Sequence, residues 1–164
     1  MTGTAKGKGT IYGVGLGPGA VDLLSVRADR LVRAARHVAF FRKAGRLGHA
    51  RQIVADILPA AAVEFAMEYP VTTEIPLSNP RYGKVLSEFY EACTAHIRSL
   101  SEAGEDVIVL CEGDPFFYGS FMHLYRRLHT DYPVEVIPAI TGMSAAWTAT
   151  GQPITWGDDT LSVL

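Results

Sequence analysis

Cysteine is scarce in this chain, with only Cys93 and Cys111 among 164 residues, and the two lack the close spacing of metal ligands. A disulfide framework is excluded as the basis of the fold, and a reduced, cytoplasmic protein is expected. Long apolar runs are missing too. None approaches the roughly 18 residues that a membrane-spanning helix needs, so no membrane partner is expected. Positive charge is not in excess: 15 Lys and Arg stand against 17 Asp and Glu, for a net charge of −2. That balance removes the electrostatic case for nucleic acid. No Gly-Lys-Ser/Thr is present, which excludes a P-loop, and no Ser-His-Asp array or His/Cys cluster points to hydrolysis or a metal.

What is present is an alternation of short apolar runs with segments of helical spacing. Strands are expected over Thr10–Gly15, His37–Phe41, Val63–Met67, Asp106–Cys111 and Pro133–Ile137. Helices are expected from Asp22 to about Ala35, over Gly48–Leu58, Pro80–Ala103, Ser120–His129 and Thr141–Thr150. Glu68–Asn79 carries two prolines and reads as irregular. This order implies an α/β domain, a five-stranded, mostly parallel sheet flanked by helices, over residues 10–153. Residues 1–9 are polar and glycine-rich, lack the apolar core of a signal peptide, and are expected to be a disordered tail. Residues 154–164 read as a linker followed by a strand, Thr160–Leu164, that opens a second and largely missing α/β domain.

Two loops stand out. Cys111-Glu112-Gly113-Asp114-Pro115-Phe116-Phe117-Tyr118-Gly119 follows the buried run Val107–Leu110, at a strand-to-helix turn where open α/β sheets bind small ligands. Gly15-Leu-Gly17-Pro-Gly19-Ala20 follows the first strand and formally matches the dinucleotide fingerprint. Against that reading, Pro18 removes a backbone donor, and the second strand ends in Phe40-Phe41-Arg42-Lys43 rather than in an acidic residue. An arginine there would suit NADP, so a dinucleotide is disfavoured but stays open.

Three motifs in order carry a resemblance: Val14-Gly-Leu-Gly-Pro-Gly19 with Asp22-Leu-Leu24, Glu112-Gly-Asp-Pro115 with Tyr118-Gly119, and Pro138-Ala-Ile-Thr-Gly-Met-Ser-Ala-Ala146 running into Gly151-Gln-Pro153. Over about Thr10 to Leu164 the chain resembles the tetrapyrrole methylase family. Within it, the Glu112–Met122 and Glu74…Tyr82 stretches are most similar to the members that methylate C20 of precorrin-2 or its cobalt form. The resemblance implies a two-domain, homodimeric enzyme with S-adenosylmethionine as methyl donor and a small-molecule tetrapyrrole as substrate. By position it implies that Pro18, Glu112, Gly113, Asp114, Phe117, Thr141 and Gly142 line the cofactor site. Glu112 departs from a common glycine, and Thr141-Gly142 from the usual Thr-Ala or Ser-Ser. A methylase of another substrate, rRNA or a diphthamide precursor, is the alternative on the same fold. A nucleotide-binding or dimerisation module without turnover is the alternative of a different class.

Methyl transfer from a sulfonium to an enamine-like carbon needs positioning more than a nucleophilic side chain. No catalytic residue is assigned, and Tyr118 is the candidate substrate-facing polar group. Among the histidines, His123 alone invites a test by position, while Trp147 and Trp156 read as packing residues at a domain boundary. Arg27, Arg30, Arg33, Arg36, Arg42, Lys43, Arg46 and Arg51 crowd into one quarter of the chain. They read as a solvated helix face or as a dock for an anionic, carboxylate-bearing substrate.

Overall fold

A computed structural model describes residues 7–71 and 79–163. Five strands, β1 (Ile11–Gly15), β2 (His37–Arg42), β3 (Val63–Glu68), β4 (Val107–Cys111) and β5 (Val134–Ile137), form one sheet in the order β3-β2-β4-β1-β5. Every neighbouring pair is parallel. The α-helices are α1 (Val26–Arg33), α2 (His49–Ile53), α3 (Pro80–Glu102), α4 (Phe121–Leu128) and α5 (Gly142–Thr150). The expected parallel α/β sheet is the fold. No helix among the described residues is long and apolar enough to cross a membrane.

Strand β4 is buried along its whole length, which a Val-Ile-Val-Leu-Cys run covered on both sides requires. Its residues alternate between two cores. Val107, Val109 and Cys111 face Ile97 of α3 and Phe121, Leu124 and Leu128 of α4, whereas Ile108 and Leu110 face Ala28 and Val32 of α1 and Val54 beyond α2. Gly13 lets Phe121 lie against β1. A Cβ there would stand 2.3 Å from the Phe121 ring, itself only 1% exposed. Gly13→Ala should therefore destabilise the domain by about 1–3 kcal/mol through overpacking. A lower urea midpoint at unchanged slope would show it, and an unmoved midpoint would mean that Phe121 has room to yield.

The termini of the elements differ from the sequence reading in instructive ways. Helix α1 starts at Val26, capped by the Ser25 hydroxyl accepting from Ala28 N at 3.1 Å, while Asp22 lies in a separate 3-10 turn, Val21–Leu23. The helix thus begins four residues after Asp22, and Val26 is 66% exposed. At the other end of the domain, Asn79 caps α3 through Arg81 N, and Gly104 leaves it at φ +75°.

Gly9, at the end of the expected disordered tail, is held in place. Gly9 N donates to Ser101 O at 2.8 Å and the Ser101 hydroxyl donates to Gly9 O at 2.6 Å. Residues 1–6 lie outside the described residues, as does most of the expected irregular stretch, residues 72–78. The expected strand Thr160–Leu164 is not formed over its described residues 160–163, which are exposed. A strand exists only against a hydrogen-bonding neighbour, and neither edge of the sheet supplies one. Trp156 is likewise exposed.

Candidate functional site

Strands β1 and β4 are neighbours, but the chain leaves β1 for α1 on one face of the sheet and leaves β4 for α4 on the other. Their loops diverge at that point and open a crevice at the carboxyl ends of the strands. Backbone hydrogen bonds carry the pairing into the crevice. Leu16 N donates to Cys111 O at 2.9 Å, and Gly17 and Gly113 exchange N–H···O bonds of 2.9 and 3.4 Å. Both glycines have positive φ, +73° and +66°, which a side chain would strain.

The Asp114 carboxylate is the pin of this junction. One oxygen accepts from Phe116 N at 2.8 Å and the other from Ala139 N at 2.9 Å, so the loop after β4 is tied to itself and to the loop after β5. Gly15 is the point of closest approach. A Cβ there would meet Ala139 Cβ at 2.6 Å, Pro115 Cδ at 2.9 Å and Gly113 O at 3.0 Å. The Thr141 hydroxyl caps α5 by accepting from Ser144 N at 3.2 Å, and Gly142 N lies 4.0 Å from where a Gly113 Cβ would be.

The fold thus gathers Gly113, Asp114, Thr141 and Gly142 at one junction, and Pro18 follows Gly17 in the loop after β1. Asp114 and Thr141 each hydrogen-bond the backbone here, Asp114 to Phe116 and Ala139 and Thr141 to Ser144. Phe117 stands half-buried beside them, its ring edge-on to Tyr118 at 5.1 Å.

Glu112 belongs to a second feature, a cavity of about 690 Å³ over the ends of β2 and β4. Its wall includes Arg42, Lys43, Arg46, His49, Tyr69 and Glu112, closed by Tyr118–Phe121. Tyr118 is the single non-glycine residue with positive φ, +54°, among the described residues. That conformation costs about 1–3 kcal/mol. Tyr69 and Ser120 share a hydrogen bond across the cavity, and burial pushes the Tyr69 phenol well above its ordinary range. Burial does the same to the Cys111 thiol. Both groups keep their protons. Cys93 is also buried, its thiol pushed up to about 11 by desolvation, so neither cysteine is a nucleophile.

The basic cluster of the sequence divides here. Arg27 pairs with Glu135, Arg33 with Asp29, Arg36 with Glu105 and Arg51 with Glu64. These four brace the outside of the fold. Arg42, Lys43 and Arg46 face the cavity instead. Arg42 also meets Glu68 at 3.1 Å, whereas Lys43 and Arg46 form no ion pair among the described residues.

The histidines divide in the same way. His123 stacks on Tyr90 at 4.2 Å and is held below its ordinary pKa by burial, then by Arg127 and Arg126, so it is a packing residue outside the cavity. His49, unremarkable in sequence, lines the cavity with Nδ1 3.4 Å from Glu112 Oε1. Nothing local marks it except Gly48 before it. No cluster able to hold a metal occurs among the described residues.

The model of the Tetrapyrrole (Corrin/Porphyrin) Methylases matches residues 10–164. A precorrin-2 C(20)-methyltransferase from Sinorhizobium sp is 47% identical over 158 residues, covering 96% of this chain and 64% of that protein. The cobalamin biosynthesis protein CobIJ of Mycobacterium tuberculosis is 40% identical over 157 residues, covering 96% of this chain and 31% of that protein. A uroporphyrin-III C-methyl transferase from Thermus thermophilus, solved with S-adenyl homocysteine, superposes with a TM-score of 0.59 at 26% identity, covering 92% of this chain and 51% of that one. The chain therefore spans less than two thirds of the length of each.

Proposed function

The chain belongs to the tetrapyrrole methylase family, and from that premise we propose that the protein containing it moves a methyl group from S-adenosylmethionine to C20 of precorrin-2 or its cobalt form. The observation that carries the reading is the pairing of two features on one sheet edge: a backbone-lined crevice and a cation-lined cavity beside it.

The crevice suits the cofactor. Gly19 and Gly142 have open space where a side chain would stand, so a ligand can approach their backbone. The first N–H groups of α5, at Gly142 and Met143, are free of intrahelical partners and favour a carboxylate such as that of the methionine moiety. Pro18, Gly113 and Phe117 would shape the remaining wall, and Asp114 and Thr141 would hold that wall in place. Glu112, assigned to the cofactor by resemblance, is better placed toward the neighbouring cavity. When bound, S-adenosylmethionine supplies an electrophilic methyl on a sulfonium.

The cavity suits the substrate class. A tetrapyrrole with several carboxylate side chains needs cations at its rim, and Arg42, Lys43 and Arg46 provide them. Tyr118 would present its phenol from the strained loop. The homodimer remains part of this proposal. It is supported by exposed apolar residues after β5, including Ile140, Ile154 and Trp156, which suit a protein contact.

Calorimetry on the full-length enzyme should give one S-adenosylhomocysteine site per chain and no NADPH binding. Incubation with precorrin-2 and methyl-labelled donor should then label C20. NADPH binding in place of S-adenosylhomocysteine would sink this reading.

A further inference from the structure

Methylating a carbon that carries hydrogen, with its conjugation restored, releases one proton, and a side chain on the cavity wall can take it. The ionisable groups on its wall narrow the choice. Arg42, Lys43 and Arg46 are cations without an acceptor. Tyr69 and Cys111 are kept protonated by burial. Tyr118 offers an O–H donor. His49 and Glu112 remain, and they face each other.

Three separate features fix the α2 backbone that carries His49. Gly48 adopts φ +88°, where a Cβ would stand 2.7 Å from Phe41 O, so the chain turns back closely over the end of β2. The next residue but one, Ala50, is buried in the core beneath. Arg51 then grips Glu64 of β3 through two bonds of 2.8 Å. Helix α2 is short, yet it is held at its start, its underside and its outer face. The His49–Glu112 contact is itself solvent-exposed, 76% and 56%, so it adds little to stability, and the bracing of α2 is what sets its position.

We propose that His49 accepts the proton lost by the substrate carbon, and that Glu112 holds its imidazole as the Nδ1–H tautomer, leaving Nε2 free to accept. The inference rests on the methyl-transfer reading above. In the step, the π pair of the substrate forms the new C–C bond as the donor's S–C bond breaks with its pair left on sulfur. The C–H pair restores the conjugation, and its proton passes to Nε2. Glu112 acts through His49 and is a positioning residue.

The test uses the full-length enzyme. His49→Gln should lower kcat by about 10²–10⁴-fold, the range of general-base catalysis, while S-adenosylhomocysteine affinity and KM stay within about threefold. Free imidazole should partly restore turnover to His49→Ala, which a merely structural role would not allow. Independently of turnover, nitrogen spectra should show His49 protonated on Nδ1, and Glu112→Ala should redistribute that tautomer. Retention of kcat within about threefold in His49→Gln overturns the proposal, as does an Nε2-protonated His49 in the unaltered enzyme. An unaltered enzyme that binds S-adenosylhomocysteine but methylates no tetrapyrrole would sink the functional reading instead, and the nitrogen spectrum would still decide the pair.

Discussion

Asp114→Ala is expected to weaken S-adenosylhomocysteine binding by at least tenfold, roughly 1.4 kcal/mol, although its carboxylate is already engaged by the protein. Both oxygens accept backbone N–H groups, from Phe116 and from Ala139 across 25 positions of sequence. Alanine leaves those two donors unpaired and unties the loop after β5 from the loop after β4. Each lost charge-assisted bond is worth about 1.5–3 kcal/mol, less whatever water restores at this partly exposed site, so the fold should weaken as well. The Thr141-Gly142 backbone would then drift from Gly113, and the crevice would lose its shape. Asp114→Asn separates the two roles. Its amide oxygen can still accept from one N–H, but its NH2 group opposes the other, so an intermediate loss of stability is expected in urea titration. Unchanged cofactor affinity in both variants, by calorimetry, would show that the junction does not shape the cofactor site.

The cavity cations should have a comparable effect on the other substrate. Lys43→Gln with Arg46→Gln is expected to raise KM for the tetrapyrrole by about a hundredfold, taking about tenfold per cation from the low end of charge-assisted bonding. Cofactor affinity should not move, since these residues line the cavity over β2 and β4 and not the β1–β4 crevice. Salt offers a second readout. The unaltered enzyme should lose affinity for its polycarboxylate as ionic strength rises, and the double variant should respond much less. Arg42 is the weaker choice for such a test, because Glu68 already shares its charge. An unmoved KM would return the whole cluster to the status of a solvated face, the reading that holds for Arg27, Arg33, Arg36 and Arg51.

Much of the fold was legible because its signals are local. An apolar Val-Ile-Val-Leu run has to be covered on both sides, and glycines at +66° and +73° mark turns that no other residue enters without strain. The first helix, expected from Asp22, starts at Val26 for a local reason too. Asp22 and Ser25 are both competent caps, and only packing shows that Ala28 and Val32, rather than Val26, face the sheet. At 160–163 no strand is paired, since a β-prone sequence specifies a strand only when a partner edge exists.

By itself the sequence determined the parallel α/β order, the two ligand loops and the family, because short-range propensity, glycine placement and ordered motifs are written along one stretch of chain. Only the tertiary structure decided how side chains are used. It made Asp114 a pin between two loops, left Lys43 and Arg46 facing a cavity while five other arginines of the cluster found carboxylates, and brought His49 against Glu112, 63 positions away. Charge and hydrogen-bonding energies depend on distance in space and on exposure to water, and neither is a property of position in sequence.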